Sequence, residues 1–338
     1  MVGALPWQKA ASLARAVEEV GFSGMVFTET TQAPWMSLAA AAMATSRLRL
    51  SSGVAVAFAR SPTVMAQLAW ELAGNTAGRF RLGLGSQVRA HVERRYGMPF
   101  DPPGPRMRDY VEAVKACFKA FRGEGPLQHH GPYYDLSLLP TDWVPPGHAY
   151  GDIKVDVAAV NDWMCRAAGA VADGVHVHPL HSAHYLRERL LPAIGEGARS
   201  VGKDPAQVEL TVAVFVVAGD TPEQRAPWLE RARRQVAFYG STRNYAFQFD
   251  DLGYVGTSAA LNQRLKTGDV AGMSAIITDE VLGHFAVVAP WEGLAEVLLE
   301  RYGGIAQRLV AYLAVEAIEA DRSVLARWGE VARGLAAS

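Results

Sequence analysis

Short apolar segments alternate along this chain with longer amphipathic segments. The apolar segments, each of strand length, span residues 24–29, 48–57, 79–85, 152–160, 174–178, 207–218 and 307–313. Helical patterns span residues 8–22, 34–46, 61–75, 107–121, 162–172, 182–202 and 221–240. Because strands that are joined by helices run parallel and are covered on both faces, the alternation predicts a parallel α/β fold.

The strand pattern also predicts how the sheet closes. Seven strands are one short of a closed barrel, and only "MVGAL" precedes the first helix, where the eighth is expected. We therefore predict an α/β, TIM-like (β/α)8 barrel with insertions, whose first strand is short or truncated. An open doubly wound sheet is the second choice.

A single barrel domain over residues 1–338 is expected, with two interruptions of the strand–helix rhythm. The insertion at 122–151 is rich in Pro, Gly and His and has a hairpin pattern at "YYDLSL". The insertion at 241–285 carries several aromatic residues and then short helices. Long insertions on such scaffolds form lids or substrate walls, or pack on the outside of the fold, and the sequence leaves both open for 241–285.

Charge and hydropathy exclude several classes of partner. The formal net charge is −1, so no basic excess is present to bind a nucleic-acid backbone. The apolar stretch at 210–219 is far shorter than the roughly 20 residues that span a bilayer, and charged residues interrupt the N-terminus where a signal peptide would be apolar. Cys117 and Cys165 lie in helical patterns, which favours reduced thiols. We expect a cytoplasmic protein that acts on a small-molecule substrate, with no nucleic acid or membrane as partner.

The segment "GVHVHPLHSAH" concentrates four histidines and raises the hypothesis of a metal-dependent hydrolase. His176 and His178 alternate along a strand and point to the same side. The other strand ends offer a single carboxylate, which makes a poor metal cage, so no metal ligands are assigned. The pattern places His176 in the interior and His184 on a helix surface. His178 and His181 flank Pro179 at a strand's carboxyl end and are predicted to contact an anion or a cofactor.

The strand ends share a neutral, hydrogen-bonding character. They read Glu29-Thr30-Thr31, Ser52-Gly53, Ser86-Gln87, Asn161-Asp162 and His178-Pro179. Such groups suit a large planar polar ligand better than a compact ion. Neither a P-loop nor a G-x-S-x-G motif is present, and the "GLG" at 83–85 lacks the third glycine of a dinucleotide fingerprint. A bound cofactor is therefore expected to supply the chemistry.

Several segments resemble one known family. "NTAGRFRLGLGSQ" is similar to a signature of the bacterial-luciferase-like (LLM class) flavin and deazaflavin oxidoreductases. "RRYGMPF", "RMRDYVEAVKACF" and "AGAVADGVHVHP" resemble its coenzyme F420-dependent branch. The resemblance implies a barrel with the cofactor ring at the carboxyl ends of the strands, and a non-proline cis peptide at Gly53-Val54.

The resemblance also implies site residues. Glu29 maps to the edge of the cofactor ring and His91, more loosely, to the loop after the fourth strand, and we take these two as the candidate catalytic residues for proton handling. The cofactor-binding residues that the resemblance implies are Thr30, Gly53, Val54, Ala55, Gly85, Ser86, Gln87, Ala159, Val160, Asn161, His178, Pro179 and His181. One departure concerns the cofactor phosphate: the family often has Gly-Pro after the fifth strand, but this chain has Asn161-Asp162 and so a carboxylate where the phosphate is expected.

The implied activity is hydride transfer between coenzyme F420 and a small organic substrate. An FMN-dependent two-component monooxygenase of the same fold is the first alternative. A metal-dependent hydrolase and a cofactor-free, non-catalytic relative are the others. Barrels of this family commonly pair, so a homodimer is expected as well.

Overall fold

The computed structural model describes residues 1–337. Its strands are β1 (Gly24–Phe27), β2 (Arg49–Ser52), β3 (Ala55–Val56), β4 (Phe80–Gly85), β5 (His129–His130), β6 (Asp135–Leu136), β7 (Val155–Ala159), β8 (Gly174–Val177), β9 (Glu209–Ala218), β10 (Ala286–Ala289) and β11 (Arg308–Ala311). Its α-helices are α1 (Trp7–Val20), α2 (Trp35–Ala44), α3 (Pro62–Asn75), α4 (Arg89–Arg94), α5 (Pro103–Phe121), α6 (Asp162–Val171), α7 (Ala183–Tyr185), α8 (Leu191–Ser200), α9 (Pro222–Gly240), α10 (Phe247–Asp250), α11 (Thr257–Lys266), α12 (Val270–Ile276), α13 (Asp279–Phe285), α14 (Leu294–Tyr302), α15 (Ala314–Ala320) and α16 (Val324–Ala336).

The predicted strands are confirmed, with two differences. The segment predicted as one strand over 48–57 is divided into β2 and β3 by Gly53 and Val54. The prediction of seven strands missed β10, since its four residues are too few to display a period and follow α13 directly.

Contacts divide the chain into two compact units. The first, here called the N-terminal unit, comprises Val2–His176 and Ala193–Glu209. Its strands lie in the order β1-β2-β4-β7-β8, and β3 pairs with β4. The registers of β1 with β2, β2 with β4 and β4 with β7 are parallel, as the alternation of strands and helices predicts.

The second, the C-terminal unit, comprises Met1, Val177–Pro192 and the chain from Leu210 onward. In it, β10 and β11 both pair in parallel with the long strand β9. The single domain over residues 1–338 stays a prediction beside this division.

The first strand is as short as predicted. Val2 forms one isolated parallel bridge with Phe27. The Val2 N–H donates to the Val26 carbonyl at 2.8 Å, and the Thr28 N–H donates to the Val2 carbonyl at 2.8 Å. Val2 is fully buried, so this single residue occupies the edge beside β1.

Both insertions adopt local structure. In the 122–151 insertion, β5 and β6 form an antiparallel hairpin; β6 lies in the predicted segment "YYDLSL", whereas β5 precedes it. This insertion packs on helices, because Asp109 of α5 accepts hydrogen bonds from it and Trp70 of α3 donates to the Pro146 carbonyl at 3.0 Å. The 241–285 insertion folds into α10 to α13 around buried Phe249 and Leu261. Its role as a lid stays a prediction.

Local signals fix several helix ends. Ser61 caps α3 by accepting a hydrogen bond from the Val64 N–H, and Pro62 occupies the first helical position, as its sequence predicts. Thr221 and Gln224 form a capping box at the start of α9. Helix α1 ends at Gly21, whose φ of 106° lies in the left-handed region that favours glycine.

No helix within residues 1–337 combines the length and the apolar character that crossing a bilayer requires. Cys117 and Cys165 are buried, and neither forms a disulfide.

Candidate functional site

Most of the predicted site residues lie where strands of the N-terminal unit end. Glu29 and Thr30 follow β1, Gly53 follows β2, and Ser86 follows β4. Asn161 follows β7. Since the paired strands are parallel, these carboxyl ends lie on the same edge of the sheet, which is where TIM-barrel enzymes place their active sites.

The loop between β2 and β3 contains the feature that the resemblance implies. The Gly53-Val54 peptide bond is cis, which confirms that expectation. The Gly53 N–H donates to the Phe27 carbonyl at 2.8 Å, so the loop is bonded to β1. Ala55 is buried, whereas Gly53 and Val54 are half-buried and remain partly accessible.

Glu29 is buried, and both of its carboxylate oxygens accept hydrogen bonds. Its Oε2 accepts from the Val56 N–H at 2.8 Å and from Nη1 of Arg60 at 2.9 Å. Its Oε1 accepts from Nη2 of Arg60 at 2.7 Å. The Arg60 guanidinium lies 5.8 Å from the Trp35 ring centroid. Through these contacts Glu29 positions β3. To accept a proton in its predicted role, the carboxylate would have to give up at least one of these three hydrogen bonds.

Sequence reasoning missed Arg60. The available signal was charge: Arg60 directly follows the apolar segment 53–59, and Glu29 is a carboxylate at a neighbouring strand end. A buried carboxylate needs a partner, so a nearby unassigned cation was the residue to look for.

Glycines bring the backbones of β2 and β4 together. A side chain on Gly83 would overlap the Ser52 carbonyl and come within 2.7 Å of Nε2 of His176. A Cβ on Gly85 would lie 2.5 Å from Cγ2 of Val54. The sequence assigned Gly85 to cofactor binding, and in the structure it is buried under Val54.

The loop after β4 is backbone-constrained. Gln87 has a φ of 60°, one of two positive φ values among the non-glycine residues of 1–337. Its Oε1 accepts from the Val88 N–H at 2.9 Å, and Ser86 Oγ donates to the Gln87 carbonyl at 3.2 Å. Left-handed non-glycine residues concentrate at functional sites, which fits the place predicted for Ser86 and Gln87.

His91 is exposed on α4, one turn beyond that loop. The neighbouring Arg95, which sequence reasoning did not single out, donates to the Thr30 carbonyl at 2.7 Å. Arg95 therefore links the segment after β4 to the end of β1. The proton-handling role of His91 stays a prediction.

The end of β7 leads directly into a helix N-terminus. Ala159 is buried and Val160 is half-buried. Asn161 caps α6, with Oδ1 accepting from the Met164 N–H at 2.9 Å. Asp162, in the first turn, is exposed. The helix N-terminus can bind an anion, but the Asp162 carboxylate adds a negative charge there, as its sequence position predicts.

His178, Pro179 and His181 belong to the C-terminal unit. The His181 Nδ1–H donates to the His178 carbonyl at 2.9 Å, and its Nε2 accepts from the Tyr302 hydroxyl at 3.2 Å. Both ring nitrogens of His181 thus have partners within the protein. Burial lowers the pKa of His181 to about 4.

His178 is arranged differently. Its Nδ1 accepts from the Leu180 N–H at 3.1 Å, which places the ring proton on Nε2. Burial, with His181 nearby, lowers the pKa of His178 to about 3. A neutral imidazole can donate one hydrogen bond to a ligand but brings no positive charge to a phosphate.

The four clustered histidines do not form a metal site in the part of the chain that the structure describes, where no group of three His, Cys, Asp or Glu side chains could hold a metal ion. His176 is buried, with Nε2 3.6 Å from Oδ2 of Asp156, and His184 is exposed. Both positions are those predicted from the sequence. The hypothesis of a metal-dependent hydrolase gains no support from this geometry.

Comparison with known proteins settles the family. The sequence profile described as luciferase-like monooxygenase matches residues 2–308. The chain belongs to that family. It is therefore an oxidoreductase of the luciferase-like type, as the resemblance implies.

Two relatives and one solved structure give the scale of similarity. An uncharacterized protein of Mycobacterium tuberculosis is 36% identical over 310 residues, which are 91% of each chain. A second M. tuberculosis protein, whose name proposes a coenzyme F420-dependent oxidoreductase, is 36% identical and covers 91% of this chain and 94% of its own. The coenzyme F420-dependent tetrahydromethanopterin reductase of Methanopyrus kandleri has a TM-score of 0.75 at 19% identity, with 91% of each chain covered. The predicted TIM-like α/β fold is thereby confirmed.

Proposed function

We propose that this chain is an oxidoreductase that uses coenzyme F420 to transfer a hydride to or from a small organic substrate. The proposal is supported by membership of the luciferase-like family and by a relative of 36% identity whose name proposes F420 as cofactor. The experiment that tests the proposal must distinguish it from two alternatives, an FMN-dependent monooxygenase and a cofactor-free, non-catalytic relative.

The observation that carries the proposal is a neutral ledge, defined as Gly53, Val54, Ser86 and Gln87. These residues follow β2 and β4 and bear small or uncharged side chains that are at least partly accessible. The carboxylate beside the ledge, Glu29, is neutralised by Arg60 at 2.7 Å. An uncharged surface with hydrogen-bonding groups suits the ring of a deazaflavin better than a compact ion.

The ledge would hold the ring by packing and by hydrogen bonds from its polar groups. When bound, the deazaflavin supplies a carbon that accepts or donates hydride. The protein's contribution is to orient the reactants and to exclude water, since no charged side chain of the ledge does the chemistry.

The first turn of α6 is the proposed anchor for the cofactor's phosphate. Free N–H groups and the positive end of the helix dipole favour an anion there. Asn161 already uses its side chain to cap the Met164 N–H, and Asp162 opposes a second negative charge. The anchor is consequently expected to be weaker than one without a carboxylate.

Titration of the full chain with F420 and with FMN, followed by fluorescence, tests the proposal. F420 is expected to bind at least tenfold more tightly than FMN. Ser86→Trp, which places a bulky ring on the ledge, should abolish binding, whereas Ser12→Trp on the exposed face of α1 is the matched control and should leave it unchanged.

Tighter binding of FMN would contradict the F420 assignment and favour the monooxygenase. Failure of both cofactors to bind would favour the non-catalytic relative and overturn the proposal. Equal loss of binding in Ser86→Trp and Ser12→Trp would mean that the ledge is not the surface that binds the cofactor.

A further inference from the structure

Three tyrosines and a histidine of the C-terminal unit lie close together beyond the ends of β8 and β11. His178 follows β8, and Tyr312 follows β11. Tyr239 lies in the last turn of α9, and Tyr245 ends a short 3-10 helix in the 241–285 insertion. We call these four residues the tyrosine cluster. All four are half-buried, so each keeps accessible surface.

The cluster is built as an aromatic wall. The His178 ring lies 4.7 Å from the Tyr239 ring at 81° and 4.7 Å from the Tyr245 ring at 39°. Behind it, the fully buried ring of Phe215 packs 4.9 Å from Tyr312 at 65°. Edge-to-face and tilted contacts of this kind fix ring orientations, which gives the exposed surface a defined shape.

The polar atoms of the cluster are mainly hydrogen-bond donors. The hydroxyls of Tyr239 and Tyr312 lie 2.6 Å apart, so one donates to the other and the pair retains one O–H for an outside acceptor. His178 carries its proton on Nε2, because Nδ1 accepts from Leu180. Within residues 1–337, neither that N–H nor the Tyr245 hydroxyl has a hydrogen-bond partner in the protein.

The cluster is also uncharged at neutral pH. Burial lowers the pKa of His178 to about 3 and raises the pKa of Tyr245 to about 12. Burial also raises the pKa of Tyr239 and of Tyr312. The charged groups that flank the pair, Arg231 and Glu316, bond each other, with Nε to Oε2 at 2.9 Å.

The Arg231–Glu316 pair beside the cluster offers an anion no net positive charge, and burying an anion would cost more than hydrogen bonds from neutral donors return. A purely apolar ligand would leave the donors unsatisfied, which is also costly. A neutral acceptor oxygen on a flat apolar body satisfies both the donors and the aromatic wall.

We propose that the tyrosine cluster is a binding site of the C-terminal unit for a ketone or aldehyde whose body is aromatic, with the Tyr239–Tyr312 hydroxyl pair and His178 Nε2–H donating to its oxygen. The inference goes beyond the proposed function, since it assigns a class of ligand to residues outside the ledge and the phosphate anchor. It also gives His178 a contact with a neutral ligand instead of the anion contact that the sequence predicts.

Ligand-observed NMR on the full chain tests the inference with three matched probes: acetophenone, ethylbenzene, which lacks the oxygen, and benzoate, which is anionic. We expect acetophenone to bind about tenfold more tightly than ethylbenzene, the combined effect of two hydrogen bonds worth about threefold each, and benzoate to bind no better than ethylbenzene. The titrations are run with and without F420.

The decisive variant is Tyr239→Phe/Tyr312→Phe, which keeps both rings and removes both hydroxyls. Either single change would leave one hydroxyl able to donate, so the double change is required. It should reduce the tenfold preference for acetophenone to about threefold, because His178 Nε2–H remains as a donor. Tyr254→Phe is the control, because its hydroxyl bonds Glu280 at 3.0 Å and lies outside the cluster.

Equal binding of acetophenone and ethylbenzene, or an unchanged preference in the double variant, would overturn the inference. Tightest binding of benzoate would restore the anion site that the sequence predicts. Because the preference is also measured without cofactor, these outcomes are separate from a failure of F420 and FMN to bind, which would overturn the proposed function alone.

Discussion

Arg60 and Glu29 form a two-point ion pair, with Nη2 to Oε1 at 2.7 Å and Nη1 to Oε2 at 2.9 Å. The Glu29 side chain is 3% exposed and that of Arg60 is 18% exposed. The same carboxylate accepts from the Val56 N–H at 2.8 Å, so it ties the end of β1 to β3. The pair thereby fixes the loop that carries the neutral ledge.

Removal of the cation should leave an uncompensated buried carboxylate. We expect Arg60→Leu to lower the free energy of unfolding by about 3 kcal/mol, measured by urea denaturation. Arg60→Leu/Glu29→Leu should cost less than the single change, because it leaves no unpaired charge. The control is Arg89→Leu, which breaks an exposed pair with Asp101 and should destabilise the protein far less than Arg60→Leu. A single change as mild as this control would argue against a buried pair.

Gly83 lies where β4 approaches β2 too closely for a side chain. Gly83→Ala would push a methyl group against the Ser52 carbonyl and the His176 ring. We expect a loss of about 3 kcal/mol in thermal or chemical unfolding. Gly283→Ala in α13 is the matched change, since no atom lies within 4 Å of the added Cβ, and it should be neutral or stabilising by up to about 1 kcal/mol. Similar effects at both positions would contradict the close approach.

Asp162 places a negative charge at the proposed phosphate anchor. Asp162→Asn keeps the size of the side chain and the Asn161 cap, and we expect it to tighten F420 binding about threefold. The measurement is the fluorescence titration described above, at low ionic strength, where charge effects are largest. Asp142→Asn removes an equally exposed charge from the 122–151 insertion and should change nothing. Unchanged affinity in Asp162→Asn would move the phosphate away from α6.

Two histidines with lowered pKa values, His181 and His178, should make the fold sensitive to acid. The pKa of His181 is lowered by burial from 6.5 to about 4, so between these values the unfolded chain binds a proton that the folded chain does not. The contribution of His181 to stability is therefore present above pH 6.5 and is lost as pH falls, by about 1.4 kcal/mol per pH unit at most. His178 acts in the same direction.

We expect the fall in unfolding free energy between pH 6.5 and pH 4 to be shallower in His181→Gln than in the parent chain. Urea denaturation across that interval measures it. His184→Gln, at an exposed position, should leave the slope unchanged. Parallel slopes in the parent chain and in His181→Gln would mean that His181 does not titrate differently on folding.

Local patterns predicted most of the elements. Ser61 and Pro62 indicate the start of α3, and Gly21 indicates the end of α1, because capping depends on residues that are adjacent in sequence. Strand β10 escaped prediction because four apolar residues between a helix and a proline carry no measurable period. The sequence predicted that the site residues lie at strand ends, but it did not predict their burial or their hydrogen-bond partners.

The sequence by itself determined the parallel α/β fold, the family and the positions of the strand ends, because periodicity, capping and motifs are properties of short segments. Only the tertiary structure decided that Glu29 bonds Arg60, 31 positions away, that Tyr239 pairs with Tyr312, 73 positions away, and that His181 bonds Tyr302, 121 positions away. Such pairs depend on which side chains the fold brings within about 3 Å, and no local pattern encodes that distance.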